Sequence, residues 1–154
     1  MLYRLYNPAD FPALYAVEEL CFQPPFRFSR ALMRQLVRRT DSATWIAEEN
    51  SELAGFAIVE WAAPAGALVA YIQTLEVTPG RRGQGIGNEL LRRLELSASV
   101  AGARAIWLHV DAENTPAIHL YESHGYKSRG REEHYYARQR AALIYAKPLN
   151  PPAS

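Results

Sequence analysis

One stretch constrains the fold more than any other. A β-rich run, LVAYIQTLEVT at 68–78, stops at Pro79-Gly80 and crosses the cluster GRRGQGIG at 80–87. It then enters a leucine-rich segment predicted helical over about 88–101, with Leu90, Leu91, Leu94 and Ala98 on one side. Strand, glycine turn and helix in this order leave the helix's first N–H groups unpaired behind backbone stripped of side chains. The arrangement suits an anion, because those N–H groups and the positive end of the helix dipole face one point. Arg81 and Arg82 add positive charge. Two phosphate motifs are excluded by spacing. A P-loop needs Lys followed by Ser or Thr after its second glycine, and none follows here. The dinucleotide fingerprint needs G-x-G-x-x-G, whereas Gly83, Gly85 and Gly87 alternate strictly. On spacing alone the cluster is either an anion cradle of a third kind or an ordinary turn that starts a helix.

The rest of the chain supplies the other layers. LYRLY opens as a strand, and Asn7-Pro8 signals a helix start before ADFPALYAVEELCF, where Phe11, Leu14, Val17 and Leu20/Cys21 recur at helical spacing. QPPFRF interrupts at 23–28, and Ser29 caps a second helix, RALMRQLVRRT. Strands are predicted at 43–48 and 53–61, joined by the polar turn ENSE. ARAIWLHV at 103–110 is another strand. NTPAIHLYESHGY at 114–126 is a short helix started by Asn114, with Pro116 in its first turn and Gly125 as its stop. YKSRGR and AALIYAKPL read as closing strands around an EEHYYARQ connection, and NPPAS at 150–154 as a loose tail. With no internal repeat and no linker, residues 1–149 are expected to form one α/β (or α+β) domain.

Bulk properties exclude several function classes. Seventeen basic against sixteen acidic residues leave a formal charge of +1, which argues against a general nucleic-acid binder. Cys21 is the sole cysteine, so neither a disulfide framework nor a cysteine zinc site is available, and it reads as a buried structural thiol. His119, His124 and His134 show no ligand spacing, so no metal is expected. MLYRLYNPAD lacks the apolar core of a signal peptide. The longest nearly apolar run, WAAPAGALVAYI, contains Pro64 and Gly66 and falls short of the roughly 20 residues a membrane span needs. A cytoplasmic protein with no nucleic-acid or membrane partner is the expectation, with monomer and homodimer both open.

The glycine cluster has company. Arg82-x-x-Gly85-x-Gly87 is similar to the R/Q-x-x-G-x-G/A pattern of the GNAT acetyltransferases, and YIQTLEVTPGRRGQGIGNELLRRLE resembles that family's pyrophosphate segment. NTPAIHLYESHGY resembles the second family segment, N-x-x-A-x-x-L-Y-x-x-x-G-F/Y, at its usual distance downstream. The resemblance implies a single-domain GNAT fold: a mixed, mostly antiparallel sheet of about 6–7 strands flanked by about four helices. It implies acetyl-CoA as co-substrate and direct transfer to a primary amine in a ternary complex, with no acyl-enzyme. It implies that backbone amides of Leu75, Glu76 and Val77 hold the pantetheine arm. Arg82, Gly83, Gln84, Gly85, Ile86, Gly87 and Asn88 would hold the pyrophosphate, with Asn114 and Tyr121 at the thiol end.

Within the family the chain is most similar to the protein N-terminal acetyltransferases, the ribosomal-protein-alanine and NatE types among them. Tyr71 of YIQTL and His109 of LHV resemble the NatE type, in which a tyrosine and a histidine hold the water that takes the amine proton. The ribosomal type carries a glutamate where His109 sits. Two departures fall where the family receives its peptide: Ala141 stands at a usually acidic place, and the connection after Tyr135-Tyr136 is short.

The residues can be weighed on their own chemistry. Asn114 and Tyr121 are seven apart, on nearly one helix face. Tyr121 alone would be read as packing; in the motif it lies beside the CoA sulfur, donating a proton or a hydrogen bond to the leaving thiolate. His109 shares a strand face with Trp107, opposite Ile106, Leu108 and Val110, and is either a structural histidine or a general base. An α-amine is about 10% free at pH 7 and a lysine below about 0.1%, a difference near 3 kcal/mol, so a mild base suffices for an N-terminus. Pro24, Pro25 and Phe26 with Tyr135 and Tyr136 form either the walls of an acceptor groove or an ordinary turn and a sheet-edge aromatic pair. A small-molecule amine as acceptor, and a non-catalytic acyl-CoA sensor, are the alternatives.

Overall fold

The strand before the glycine cluster is the hub of a seven-stranded sheet in the computed structural model, which describes residues 1–152. This strand, β4 (Val69–Val77), alternates half-buried Tyr71, Gln73 and Leu75 with buried Ala70, Ile72, Thr74 and Glu76. Its companions are β1 (Leu2–Leu5), β2 (Ser42–Glu49), β3 (Glu52–Ala62), β5 (Ala105–Asp111), β6 (Lys127–Ala137) and β7 (Arg140–Pro148). Their order is β1-β2-β3-β4-β5-β7-β6. Every neighbouring pair is antiparallel except β4 and β5. That parallel pair is the one that needs a crossover, which α3 (Ile86–Ala101) provides.

The parallel pair is short. Only Ala70↔Ile106 and Tyr71↔Trp107 are in register, after which the two strands part. On the β3 side, Ile58 pairs with Thr74 and Val59 with Ile72, so Gln73 is an extra residue. Such a bulge bends and twists its strand. Residues 72–77 therefore present a free edge toward β5.

Helix α3 buries Leu90, Leu91, Leu94 and Ala98 against Val59, Ala70, Ile72 and Ile106 on one face of the sheet. On the other face, α1 (Phe11–Cys21) and α2 (Arg30–Arg38) bring Phe11, Leu14, Val17, Met33 and Leu36 onto Ile46, Phe56 and Ile58. The fourth helix, α4 (Thr115–Ser123), follows β5. A mixed sheet with four helices is the α/β architecture the sequence implied.

Several boundaries move for physical reasons. Helix α3 starts at Ile86 because Gly85, with φ of 83°, already serves as its N-cap. The ENSE turn shrinks to Asn50 and Ser51, both in the left-handed region, which matches the twist of a tight hairpin. EEHYYARQ is not a connection: β6 runs on to Ala137. Glu132 pairs with Ala142 and Ala137 with Arg140, so residues 133–136 bulge out opposite Ala141 alone. In the tail, Asn150 accepts a hydrogen bond from Ser99 at 2.9 Å, while residues 153–154 lie outside the described residues. No helix among the described residues is long and apolar enough to cross a membrane.

Candidate active site

The fork between β4 and β5 opens into a cleft of about 630 Å³. Tyr71 and Leu75 reach it from β4, His109 from β5, Asn114 and Tyr121 from α4, Pro25 and Phe26 from the α1–α2 loop, and Tyr135 and Tyr136 from the β6 bulge. The structure thus gathers sequence-predicted residues from five segments. Pro24, Glu76, Val77 and residues 82–88 do not line this cleft.

At the apex of the fork, the Tyr71 hydroxyl lies 2.8 Å from Nδ1 of His109. Tyr71 is the last residue of β4 in register with β5, so its backbone is held by a neighbour on each side. Burial pushes its phenol well up, with Tyr135 the next contribution, so Tyr71 stays protonated. The His109 ring stacks on Tyr135 at 4.2 Å and 11°, and its Nε2 lies 3.2 Å from Glu132 Oε1. Both ring nitrogens are therefore engaged, and His109 faces the cleft through Tyr71.

Tyr121 is 6% exposed and packs edge-on against Tyr126 at 5.5 Å. Burial raises its phenol far above the ordinary value. A group so reluctant to ionise donates a hydrogen bond to a thiolate rather than surrendering its proton. Asn114 is the N-cap of α4, its Oδ1 accepting from the Ala117 N–H at 3.2 Å.

The glycine loop is a matter of backbone conformation. Gly83 and Gly85 have φ of 80° and 83°, and a side chain at either would meet nothing within 4 Å, so the space beside them is open. The unpaired N–H groups of α3 begin directly after them. Arg82 donates from Nε to the Val77 carbonyl at 2.9 Å, and its Nη2 lies 3.7 Å from Cys21 Sγ. Two expectations need correction. Arg81 does not serve this loop, because Glu49 and Glu52 of the β2–β3 hairpin hold its guanidinium at 3.2 and 3.1 Å. Cys21 is half-buried and lines the cleft beside Arg82, where burial pushes its thiol up. Asn88 accepts at Oδ1 from His124 Nε2, 2.8 Å away.

Residues 3–126 match the Acetyltransferase (GNAT) family. The chain belongs to the GNAT acetyltransferases. It is 26% identical to the ribosomal-protein-S18-alanine N-acetyltransferase from Escherichia coli, whose crystal structure it matches with a TM-score of 0.86 over 99% of this chain and 96% of that one. Arabidopsis thaliana NAA60 in complex with acetyl-CoA shares the fold at 22% identity, with a TM-score of 0.83 and coverage of 96% and 97%. A streptothricin acetyltransferase of Streptomyces lavendulae is 40% identical over 97 residues, 62% of this chain and 50% of that protein. The chain thus spans half the length of that relative.

As a GNAT enzyme the protein is an acyltransferase with acetyl-CoA as co-substrate. The residues present fit that group: a free strand edge, an open left-handed glycine loop at a helix N-terminus, and a buried phenol in the cleft. Among the described residues, no group of three or more His, Cys, Asp or Glu side chains is arranged to hold a metal ion.

Glu76 is placed otherwise than a strand-edge residue. Its carboxyl turns into the sheet, 3% exposed, beside Glu18 of α1, which is fully buried. Burial, then the neighbouring Glu18, pushes the Glu76 carboxyl well above the carboxylate range. Thr74 Oγ1 donates to Glu76 Oε2 at 2.7 Å, and the Phe28 N–H donates to Glu18 Oε2 at 3.0 Å. The remaining oxygens, Oε1 of each, have no hydrogen-bond partner among the described residues.

The wall of the cleft around Phe26 and Tyr136 holds groups that sequence reasoning missed. Arg140 forms a two-pronged bond with Asp111 at 2.9 and 2.8 Å and lies 5.0 Å over the Phe26 ring. Phe26 in turn touches Tyr136 at 4.9 Å, so the α1–α2 loop and the β6–β7 hairpin meet through this clasp. Arg140 and Asp111 are 29 residues apart with no shared motif, and nothing in the sequence marks Glu132 as a partner of His109.

Proposed function

We propose that the protein acetylates the α-amine of a peptide or protein N-terminus, by direct attack of the amine in a ternary complex with acetyl-CoA. The observation that carries the reading is the Tyr71–His109 pair, 2.8 Å apart at the apex of the fork. When bound, acetyl-CoA supplies a thioester-activated acetyl group. The free edge of β4 at Leu75–Val77 accepts an extended arm by backbone hydrogen bonding, as any unpaired strand edge does. Gly83, Gly85 and the first N–H groups of α3 receive the pyrophosphate, and Arg82 adds charge beside them. Tyr121 donates a hydrogen bond to the departing thiolate. Tyr71 and His109 take the proton from the amine.

The acceptor class follows from base strength and shape. A neutral imidazole is a mild base, enough for an α-amine of pKa about 8 but poorly matched to a lysine near 10.4. Pro25 and Phe26 on one wall and Tyr135 and Tyr136 on the other offer rigid apolar contacts to a chain entering by its end. The streptothricin acetyltransferase likeness favours a second reading, a small-molecule amine. The deciding experiment incubates the enzyme with acetyl-CoA and a mixed set of lysine-free peptides, streptothricin, polyamines and amino acids, and reads acetylation by mass spectrometry. Peptides with free N-termini are expected to be modified and N-terminally blocked copies to be inert. Modification of streptothricin or polyamines alone would overturn the peptide reading.

A further inference from the structure

We propose that Glu132 is a positioning residue of the transfer, fixing the tautomer of His109 and stabilising the imidazolium formed when the amine proton arrives. The proposal rests on the reading of Tyr71 and His109 given above and adds a third member from another strand. Nε2 of His109 lies 3.2 Å from Glu132 Oε1, and Nδ1 lies 2.8 Å from the Tyr71 hydroxyl. A carboxylate only accepts, so Nε2 carries the hydrogen and Nδ1 keeps its lone pair toward Tyr71. The Tyr71 hydroxyl then donates to Nδ1, which leaves lone pairs of its oxygen turned away from the ring to receive a proton.

The proton balance is simple. As an N–H bond of the protonated amine, the ammonium form, breaks, its proton goes to the Tyr71 oxygen, directly or through one water, while the tyrosine's own proton passes to Nδ1. The phenol is regenerated, the positive charge moves to the imidazole ring, and the amine lone pair is released to form the new bond to the acetyl carbon. The new charge lies against the Glu132 carboxylate, whose side chain is 48% exposed, so solvent reaches the outer end of the relay. His109 itself is 9% exposed at its side chain, wedged between Tyr135 at 4.2 Å and Trp107 at 5.3 Å. The ring is thus held in place by stacking, but stacking does not distinguish its two nitrogens. Glu132 makes that distinction. It reaches His109 from the last paired position before the β6 bulge.

The test needs two readouts, one of them independent of the acceptor. Nitrogen-15 imidazole spectra of the whole protein are expected to show His109 in the Nε2–H form. Glu132→Ala is expected to lose that preference and to lower kcat about tenfold on the peptide selected above, with KM for acetyl-CoA unchanged, as befits a half-exposed charged hydrogen bond. Glu132→Gln keeps an acceptor oxygen without the charge; it is expected to retain the tautomer and to fall between the two in kcat. Glu133→Ala, which removes the neighbour paired with Arg131, is the control that leaves both readouts at wild-type values. An unaltered His109 tautomer in Glu132→Ala, or a kcat within twofold of wild type, overturns the proposal. Full turnover by His109→Ala would instead overturn the reading beneath it, so the two failures are separable.

Discussion

Replacing Glu76 by glutamine is expected to leave stability near the wild-type value at pH 5 and to raise it progressively above that. In the folded protein the Glu76 carboxyl is 3% exposed and faces fully buried Glu18, and these two causes hold its proton on well above the carboxylate range. In the unfolded chain the same group ionises near pH 4.3. Between that value and the raised folded one, the native state binds one more proton than the unfolded state. Stability therefore falls as pH rises through the window, at up to about 1.4 kcal/mol per pH unit. Glutamine removes the dependence, because its carboxamide does not titrate and its oxygen still accepts from Thr74. For a chain of this length 1 kcal/mol moves Tm by about 2–4 °C, so the variant should gain on wild type by roughly 3–5 °C per pH unit. Calorimetric unfolding of both proteins at pH 5, 6, 7 and 8, at one ionic strength, measures the divergence. Parallel Tm curves would show that Glu76 does not hold its proton above the carboxylate range in the folded protein.

Three other perturbations probe the site. Tyr121→Phe removes a cleft-lining hydroxyl while keeping the ring packed on Tyr126, so kcat should fall about 10- to 100-fold while Tm holds steady in a melt of the same samples. Gly85→Ala forces a side chain into φ of 83° where space is open but the conformation costs about 1–2 kcal/mol. It should lower Tm by a few degrees and weaken CoA binding in calorimetry. Phe26→Ala opens the clasp with Tyr136 and Arg140, and the loss of an aromatic contact worth about 0.5–1.5 kcal/mol should raise the peptide KM up to about tenfold with KM for acetyl-CoA unmoved.

What the sequence disclosed, and what it hid, divides along a physical line. Strand parity put His109 and Trp107 on one face and Ile106, Leu108 and Val110 on the other, and their burial alternates as expected. The order of strand, glycine turn and helix set the position of α3 to within two residues, because the left-handed Gly85 is a local property. Partners that depend on register were illegible. Arg81 looked like part of the loop because its pairing with Glu49 and Glu52 crosses about thirty residues of chain. Glu132 was read as connection because a charged, exposed edge strand has no apolar alternation to reveal it. Its contact with His109 also depends on bulges that shift the β6 register, which no period can predict. Glu76 was assigned by its backbone, and its side chain became visible only once α1 brought Glu18 over the same strand.

The fork ties these particulars together. β4 and β5 are the sheet's only parallel neighbours, and parallel pairing is slightly weaker per residue than antiparallel. The Gln73 bulge sits immediately beyond the last β4–β5 pair and twists β4 away where the ladder is thinnest. Tyr71 therefore lies on the rigid side of the divergence, anchored to β3 and β5 alike, while Leu75–Val77 lie on the open side, with one edge paired to no strand and its Val77 carbonyl held by Arg82. Groups that must hold a proton at a fixed distance gain from the first setting, and backbone that must pair with an incoming arm needs the second. The proposed acceptor walls belong to neither: Pro25 and Phe26 are on a loop, and Tyr135 and Tyr136 on a bulge. Substitution of Pro25 or Phe26 is expected to change which amine arrives without disturbing Tyr71, His109 or the glycine turn, whereas Tyr135 also stacks on His109. Phe26→Ala and Glu132→Ala should accordingly separate, the first acting on the peptide KM and the second on kcat.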